Sequence, residues 1–489
     1  MNLCCIGHTF QYEMEKLCRL FIPFEKIQIS YDLVVDENLA VTKLSGNEIY
    51  ASLSINNRFF EHKSILNDGF TERDAERELA ALLFKCFSEL TSYSPKWGIV
   101  TGIRPARLYS AVTKELGSEE KAKEFFNNKF FVDNEKISLC EETHLGEAKI
   151  IELSDKDSFS LYISIPFCPT RCSYCSFVSH AVEKADHLIP TYVEYLCNEI
   201  EKTAIIAKEN NLKLKTIYMG GGTPTTLDAT MLKKVLGVVN KCFDLTDLLE
   251  FTVEAGRPDT ITEEKLVAIK ECGVTRISIN PQTMNDDVLR NIGRAHTSGQ
   301  TVEAFKLARK VGFDNINMDL IAGLPGDNVE SFKNTVESLL LLDPESITIH
   351  SLSMKRSSKM NVRGEFPEIE AGRVADEMVS YARKTLTKNG ILPYYMYRQS
   401  KTVGNLENVG YAKIGKECLY NVFIMDETHT ILACGASAVT KLREPKGDYI
   451  ERIFNFKYPY EYINRFDELM LRKNGINEFY KKYKKTGEN

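Results

Sequence analysis

Residues 161–179 read LYISIPFCPTRCSYCSFVS, and three cysteines, Cys168, Cys172 and Cys175, fall within eight residues directly after a run of apolar and β-branched side chains. The run reads as a strand, which puts the cysteines on a loop at its C-terminal end, where α/β sheets place their reactive groups. Zinc is the plainer alternative for CPTRCSYC, but a structural zinc takes four ligands, and no second close Cys or Cys/His pair stands nearby. An iron–sulfur cube is usually held by four cysteines. With only three, one iron keeps an open position for a substrate or cosubstrate.

Outward from this loop the pattern is regular. LYISIPF, TIYMG, EFTVEA, RISIN, NINMDLI and SITIHSL are strand-like, and the stretches between them are long enough for crossover helices. Six βα units predict an α/β fold with a parallel sheet curled into a partial (β/α)6 barrel, two units short of the common closed form. We place this barrel at 155–390. Residues 1–150 read as a mixed α/β domain of open role, with strand-like KIQISYDLVV and EIYASLSI ahead of the amphipathic TERDAERELAALLFKCFSEL. Residues 391–489 mix aromatics, glycines and short strands such as ILACGASAV, and read as a C-terminal α/β lobe.

Composition sets the class. The 489 residues are 43% hydrophobic, 10% aromatic and 27% charged, as in a globular protein with a sizeable core, and 62 basic against 68 acidic side chains (net −6) give no polyanion-binding field, so nucleic acid is not an expected partner. The opening MNLCCIGHTFQYEMEK lacks a basic segment followed by a long apolar one, and no apolar run approaches the ~20 residues that span a bilayer. We expect no membrane span and a cytoplasmic location. Thirteen cysteines in so long a chain are too sparse for a disulfide scaffold and read as reduced thiols.

CxxxCxxC after a first strand resembles the radical S-adenosylmethionine superfamily. Together with YMGGGTPTTL, RISINPQTMND, IGRAHT and MDLIAGLPGD it is similar to the oxygen-independent coproporphyrinogen III oxidase family over residues 160–355, and the N-terminal extension with YRQ and GNLENVGYAK points to that family's coproporphyrinogen dehydrogenase branch. The resemblance implies a [4Fe–4S] cluster on Cys168, Cys172 and Cys175, with S-adenosylmethionine on its open iron. By motif, Tyr162, Gly221 and Glu254 match contacts to that cosubstrate. Tyr174, Gly222, Thr223, Gln282, Arg294 and Asp319 match a second S-adenosylmethionine position, and Ser353 aligns weakly with one further contact. Tyr162, Glu254 and Arg294 are the residues expected to be catalytic. A backbone without Cβ at Gly221 would admit the methionine portion, the Glu254 carboxylate would accept its ammonium, and Arg294 would clamp a carboxylate.

The implied substrate is coproporphyrinogen III, an apolar macrocycle rimmed by propionates, and the implied product is protoporphyrinogen IX. A low-potential electron donor such as flavodoxin or ferredoxin is the implied redox partner. Lys355, Arg356 and Arg398 are candidate cations for the propionates. His296 and His350 read either as proton relays or as hydrogen-bonded structural histidines, the latter being commoner, and Tyr394, Tyr395 and Tyr397 either as tetrapyrrole-stacking rings or as lobe core. Arg104 and Arg107 suit an anion or a salt-bridged loop. Two positions depart from the family's pattern: Phe177 stands where a fourth cysteine is usual, and Ser164 where histidine is frequent. Phenylalanine there is also typical of haem-chaperone relatives. A haem-binding chaperone and a radical methyltransferase that opens haem anaerobically are therefore alternative readings.

Overall fold

The computed structural model describes residues 1–175, 180–353 and 366–485. Phe177, Lys355 and Arg356 lie outside them. The chain folds as two compact units: Met1–His144 with Ser351–Ser380 and Met396–Asn408, and Leu145–His350 with Tyr381–Tyr395 and Val409–Asn489.

The first unit carries strands β1 (Asn2–Ile6), β2 (Gln28–Ser30), β3 (Leu39–Ser45), β4 (Glu48–Ile55) and β5 (Arg58–Ile65) in the order β2-β1-β3-β4-β5. β1 runs parallel to both neighbours, while β3, β4 and β5 form an antiparallel meander. The expected helix is Glu72–Thr91, begun by a Thr71/Asp74 capping box, and its Leu79, Leu83 and Phe87 join Leu3, Met14 and Phe21 in the core. KIQISYDLVV forms a strand over only three residues. β1 pairs with Gln28–Ser30, and Tyr31, Leu33 and Val35 beyond them are exposed. Later segments complete this unit: Glu407 accepts from Trp97 Nε1 at 2.7 Å and from Lys136 Nζ at 2.6 Å, with all three side chains buried.

All six expected barrel strands are present in the second unit: β6 (Ser158–Ile165), β9 (Lys213–Gly221), β10 (Glu250–Glu254), β11 (Arg276–Ser278), β12 (Ile316–Ala322) and β13 (Ser346–Ser351). Between β6 and β9 lie the two-residue strands β7 (Phe167–Cys168) and β8 (His180–Ala181), paired in parallel across the cysteine loop. C-terminal strands follow: β14 (Leu392–Arg398), β15 (Glu407–Ala412), β16 (Thr430–Cys434), β17 (Val439–Arg443) and β18 (Ile450–Phe454). The large sheet has the order β14-β15-β13-β12-β11-β10-β9-β6-β16-β17-β18. β6 to β12 pair in parallel, and their near-continuous burial is that of strands covered on both faces. ILAC, expected as part of an appended lobe, enters the barrel sheet instead. As β16 it runs parallel to β6, with Thr430 opposite Phe159 and Cys434 opposite Ile163.

Four of the segments between barrel strands carry a residue that caps a following helix. Asp228 accepts from Met231 N at 2.7 Å, Thr262 from Lys265 N, Thr297 from Gln300 N in a reciprocal box, and Asn328 from Ser331 N. These caps fix where those helices begin, so the loops they close are held at both ends. Among the described residues no helix is long and apolar enough to cross a membrane.

Candidate active site at the strand ends

The cysteine loop leaves β6 through Pro166 and is stitched to the β11–β12 side of the barrel. Ser173 N donates to Ile292 O at 3.1 Å, Thr170 Oγ1 to Gly293 O at 3.2 Å, and Cys175 N to Cys172 O at 3.3 Å. The three thiols are partly exposed and unbridged. Two donors aim at them: Thr223 Oγ1 lies 3.6 Å from Cys168 Sγ, and Arg257 Nη1 lies 3.7 Å from Cys172 Sγ. Hydrogen bonds onto sulfur are what thiolate ligands of a cluster receive. Among the described residues no three His, Cys, Asp or Glu side chains converge on one metal ion. A cubane gives each thiolate an iron of its own, so its sulfurs need not meet at a point, and this donor set fits it.

YMGGGTP ends β9 against this loop, and its three glycines do different things. A Cβ on Gly220 would lie 2.9 Å from the Glu254 carboxyl and from the Tyr218 ring; one on Gly221, at φ +105°, would lie 2.9 Å from Ser164 Oγ; one on Gly222 would lie 2.5 Å from Phe167 O and 3.0 Å from Cys168 Sγ. The space that glycine creates here is thus used by the protein's own cluster loop and carboxylate. Thr223 is buried, and its N–H donates to Phe167 O at 2.8 Å.

Above the sheet, Tyr162 (β6), Tyr218 (β9) and Tyr420, from the helix Leu419–Asp426, form a stack. Ring centroids are 4.6 Å apart for Tyr218 and Tyr420, 6.1 Å for Tyr162 and Tyr420, and 6.4 Å for Tyr162 and Tyr218. Tyr218 OH donates to Glu254 Oε1 at 2.7 Å. Burial, helped by Asp319, pushes the Glu254 carboxyl up to about 7 against the opposing pull of Tyr218, His350 and Arg276. Asp319 on β12 goes the other way. Burial raises it, but His350, Asn317 and Thr348 outweigh burial and leave it below the usual carboxylate range. Asn317 Nδ2 donates to Asp319 Oδ1 at 2.7 Å, and His350 Nε2 stands 3.8 Å from Oδ2. His350 is therefore an acid's neighbour in the lumen, and the two carboxyls are shifted in opposite directions.

Of the residues matched to a second nucleoside position, Arg294, Gln282 and Asp319 gather on the β10–β12 side with Tyr174 of the cysteine loop bonded to Arg294, while Gly222 and Thr223 stand in the β9 turn. Arg294 is buried. Its Nε and Nη2 donate to Tyr174 OH at 3.2 and 2.9 Å, and its Nη1 to the carbonyls of Gly256 and Asn280 at 3.3 and 3.2 Å. Gln282 adopts φ +71°, costly for a residue with a side chain, because its N–H bonds Asp319 O at 2.9 Å and its carbonyl accepts from Ile321 N at 3.0 Å. Its Oε1 is buried with no hydrogen-bond partner, as are both ring nitrogens of His296. Orphaned polar atoms of this kind suit a polar ligand seated beside them. Burial, with Arg294 and Arg257, lowers His296 to about 4, so the ring is neutral.

Other candidates lie elsewhere. Arg398 belongs to the first unit, buried over the Trp97 ring at 5.1 Å, and donates to the carbonyls of Val100 and Asn405; its charge is spent on backbone. Ser353, also in that unit, forms an isolated bridge with Thr402. Tyr394 and Tyr395 are buried against each other at 5.0 Å, as core rings, and Tyr397 is partly exposed. Arg104 is the residue preceding the helix Pro105–Leu116. Sequence reading missed Tyr218, Tyr420, Arg257 and Asp259. Tyr218 stands inside YMGGGTPTTL and Arg257 two residues past EFTVEA, and position at a strand end is the signal that marks them; Tyr420 has none.

Residues 162–339 match the Radical SAM superfamily. The chain is 37% identical over 416 residues to the oxygen-independent coproporphyrinogen-III oxidase-like protein HemZ of Bacillus subtilis, covering 83% of each protein. It is also 41% identical over 194 residues to the heme chaperone HemW of the same organism, covering 40% of this chain and half of that one. Among solved structures, coproporphyrinogen III oxidase HemN of Escherichia coli superposes with a TM-score of 0.51 at 19% identity, over 67% of this chain and 73% of that one, a likeness of fold. With the cysteine loop, the glycine turn and the six strands already in place, the chain belongs to the HemN-like radical S-adenosylmethionine family, in its HemZ branch, with a [4Fe–4S] cluster and S-adenosylmethionine as cofactors.

Proposed function

We propose that this protein decarboxylates coproporphyrinogen III to protoporphyrinogen IX without oxygen, drawing electrons for its cluster from a low-potential donor such as flavodoxin or ferredoxin. The observation that carries this reading is the 83% coverage of the oxidase-like HemZ, which takes in both folded units, where the matches to HemW chaperones cover between 40% and 62% of the chain. Bound at the strand ends, the cofactor pair supplies hydrogen-atom abstraction. Each of two propionates would lose a hydrogen atom from its β-carbon and then carbon dioxide, passing one electron to an external one-electron acceptor and leaving a vinyl group.

The chain's residues have distinct duties in this reading. Cys168, Cys172 and Cys175 hold the cluster. Glu254, kept in place by Tyr218, accepts the cosubstrate's ammonium, with Tyr162 beside it and Gly221 turning the backbone. Tyr174, Gly222, Thr223, Gln282, Arg294 and Asp319 line the second position, where the unpaired Gln282 Oε1 is available to a nucleoside donor. The stacked tyrosines exclude water from the radical's path.

A haem-carrying role is favoured by two observations: Phe177 replaces the fourth cysteine, and curated relatives include several heme chaperones. Anaerobic incubation of cluster-loaded protein with coproporphyrinogen III, S-adenosylmethionine and a low-potential reductant separates the two. Loss of two carbon dioxide units in the product mass is the expected result. An unchanged tetrapyrrole, with tight haem binding, would overturn the oxidase reading in favour of the chaperone.

A further inference from the structure

Arg257 lies in the turn after β10 and is 3% exposed, yet its charge faces the cluster loop. Its Nε and Nη2 bond both oxygens of Asp259, at 2.9 and 3.0 Å; Nη1 and Nη2 both reach Thr170 Oγ1 at 3.2 Å; and Nη1 points at Cys172 Sγ from 3.7 Å. A planar fork with one edge on a carboxylate and the other on a hydroxyl and a sulfur has no freedom to turn away. Thr170 in turn donates to Gly293 O, so the contact is fixed from the loop's side as well.

We propose that Arg257 and Asp259 form a tuning pair that sets the reduction potential of the [4Fe–4S] cluster through Cys172. A donor and a positive charge beside a ligand sulfur stabilise the reduced, more negative cluster and so raise its potential. Asp259 on the far side of the guanidinium partly offsets that charge. The two members of the pair therefore push the potential in opposite directions. Arg257 is a positioning residue in this scheme, and the proposal holds whether the tetrapyrrole is decarboxylated or only carried.

The test is an EPR-monitored redox titration of full-length protein loaded anaerobically with iron and sulfide, without substrate. In Arg257→Gln the ratio of reduced to oxidised cluster at a fixed potential should fall about tenfold, equal to about 59 mV for a one-electron couple. Asp259→Asn should shift the ratio the other way, and Arg257→Lys should fall between Arg257→Gln and the parent. Should Arg257→Gln lose its cluster, the remaining two variants decide. Shifts of opposite sign, lower for Arg257→Lys and higher for Asp259→Asn, support the pair. Shifts of the same sign, or potentials equal to the parent's, overturn it, because a merely structural role would move both variants alike or neither.

Discussion

The carboxyl of Glu254 should make the cofactor-free protein less stable as pH rises, and replacing it by an amide should remove that dependence. Its pKa is pushed from an ordinary 4.5 up to about 7, chiefly by burial, so the folded state favours the protonated acid. The linkage sign follows: the group's contribution is fully present below about pH 4.5 and is lost as pH rises through about 7. The displacement amounts to about 3 kcal/mol, at about 1.4 kcal/mol per pH unit. Glu254→Gln preserves the acceptor for Tyr218 OH and cannot ionise. Its stability relative to the parent should therefore climb by about 2–3 kcal/mol between pH 5 and pH 8.5. Trp97, the sole tryptophan, sits in the other unit, so the readout should be local. Hydrogen exchange of peptides covering β10, variant against parent at matched pH, should slow by roughly a hundredfold at pH 8.5 and far less at pH 5. A difference that is flat across this range would refute the reasoning that burial, and not loss of a contact, governs this carboxyl.

Three further outcomes are expected. Serine at Cys168, Cys172 or Cys175 should each lower bound iron after anaerobic reconstitution to a minor fraction of the parent's, by metal analysis and visible absorption. Gly220→Ala sets a methyl 2.9 Å from the Glu254 carboxyl and the Tyr218 ring, and should cost about 1–3 kcal/mol while weakening S-adenosylmethionine binding by calorimetry. Lys473→Met strands Glu199, whose carboxylate lies 2.9 Å from Lys473 Nζ with both side chains essentially unexposed; about 3–5 kcal/mol should be lost in urea denaturation followed by circular dichroism, and Glu199→Gln added to it should restore part.

The barrel was legible because its strands are short β-branched runs between amphipathic helices, and the residues that cap those helices, Asp228, Thr262, Thr297 and Asn328, are types whose role can be read locally. The cysteine loop was legible for the same reason, since its spacing lies within eight residues. What escaped depends on chain segments far apart. Nothing near Glu407 announces that it will meet Lys136, 271 residues away, and ILAC reads as a strand without naming β6 as its partner. Arg398 looked like a free cation, but burial over Trp97 with two carbonyls absorbs it, and no local pattern reports burial. The glycine turn was read as room for a cosubstrate, while the side chains occupying that room come from β6, β10 and the cysteine loop. Arg257 stands at a strand end, but a lone arginine in such a place is usually solvated and nothing local reports its burial.

The parallel pairing of β16 with β6 also constrains how the chain is born. The flank of the strand that launches the cysteine loop is sealed by residues made roughly 270 positions later, an interval of about 15–50 s at ordinary ribosomal speed. Until then β6 presents unpaired amides and carbonyls to whatever is near, an invitation to mispairing. A protein truncated ahead of Thr430 should therefore keep that edge of β6 open beside the cysteine loop and be aggregation-prone however intact its binding motifs are.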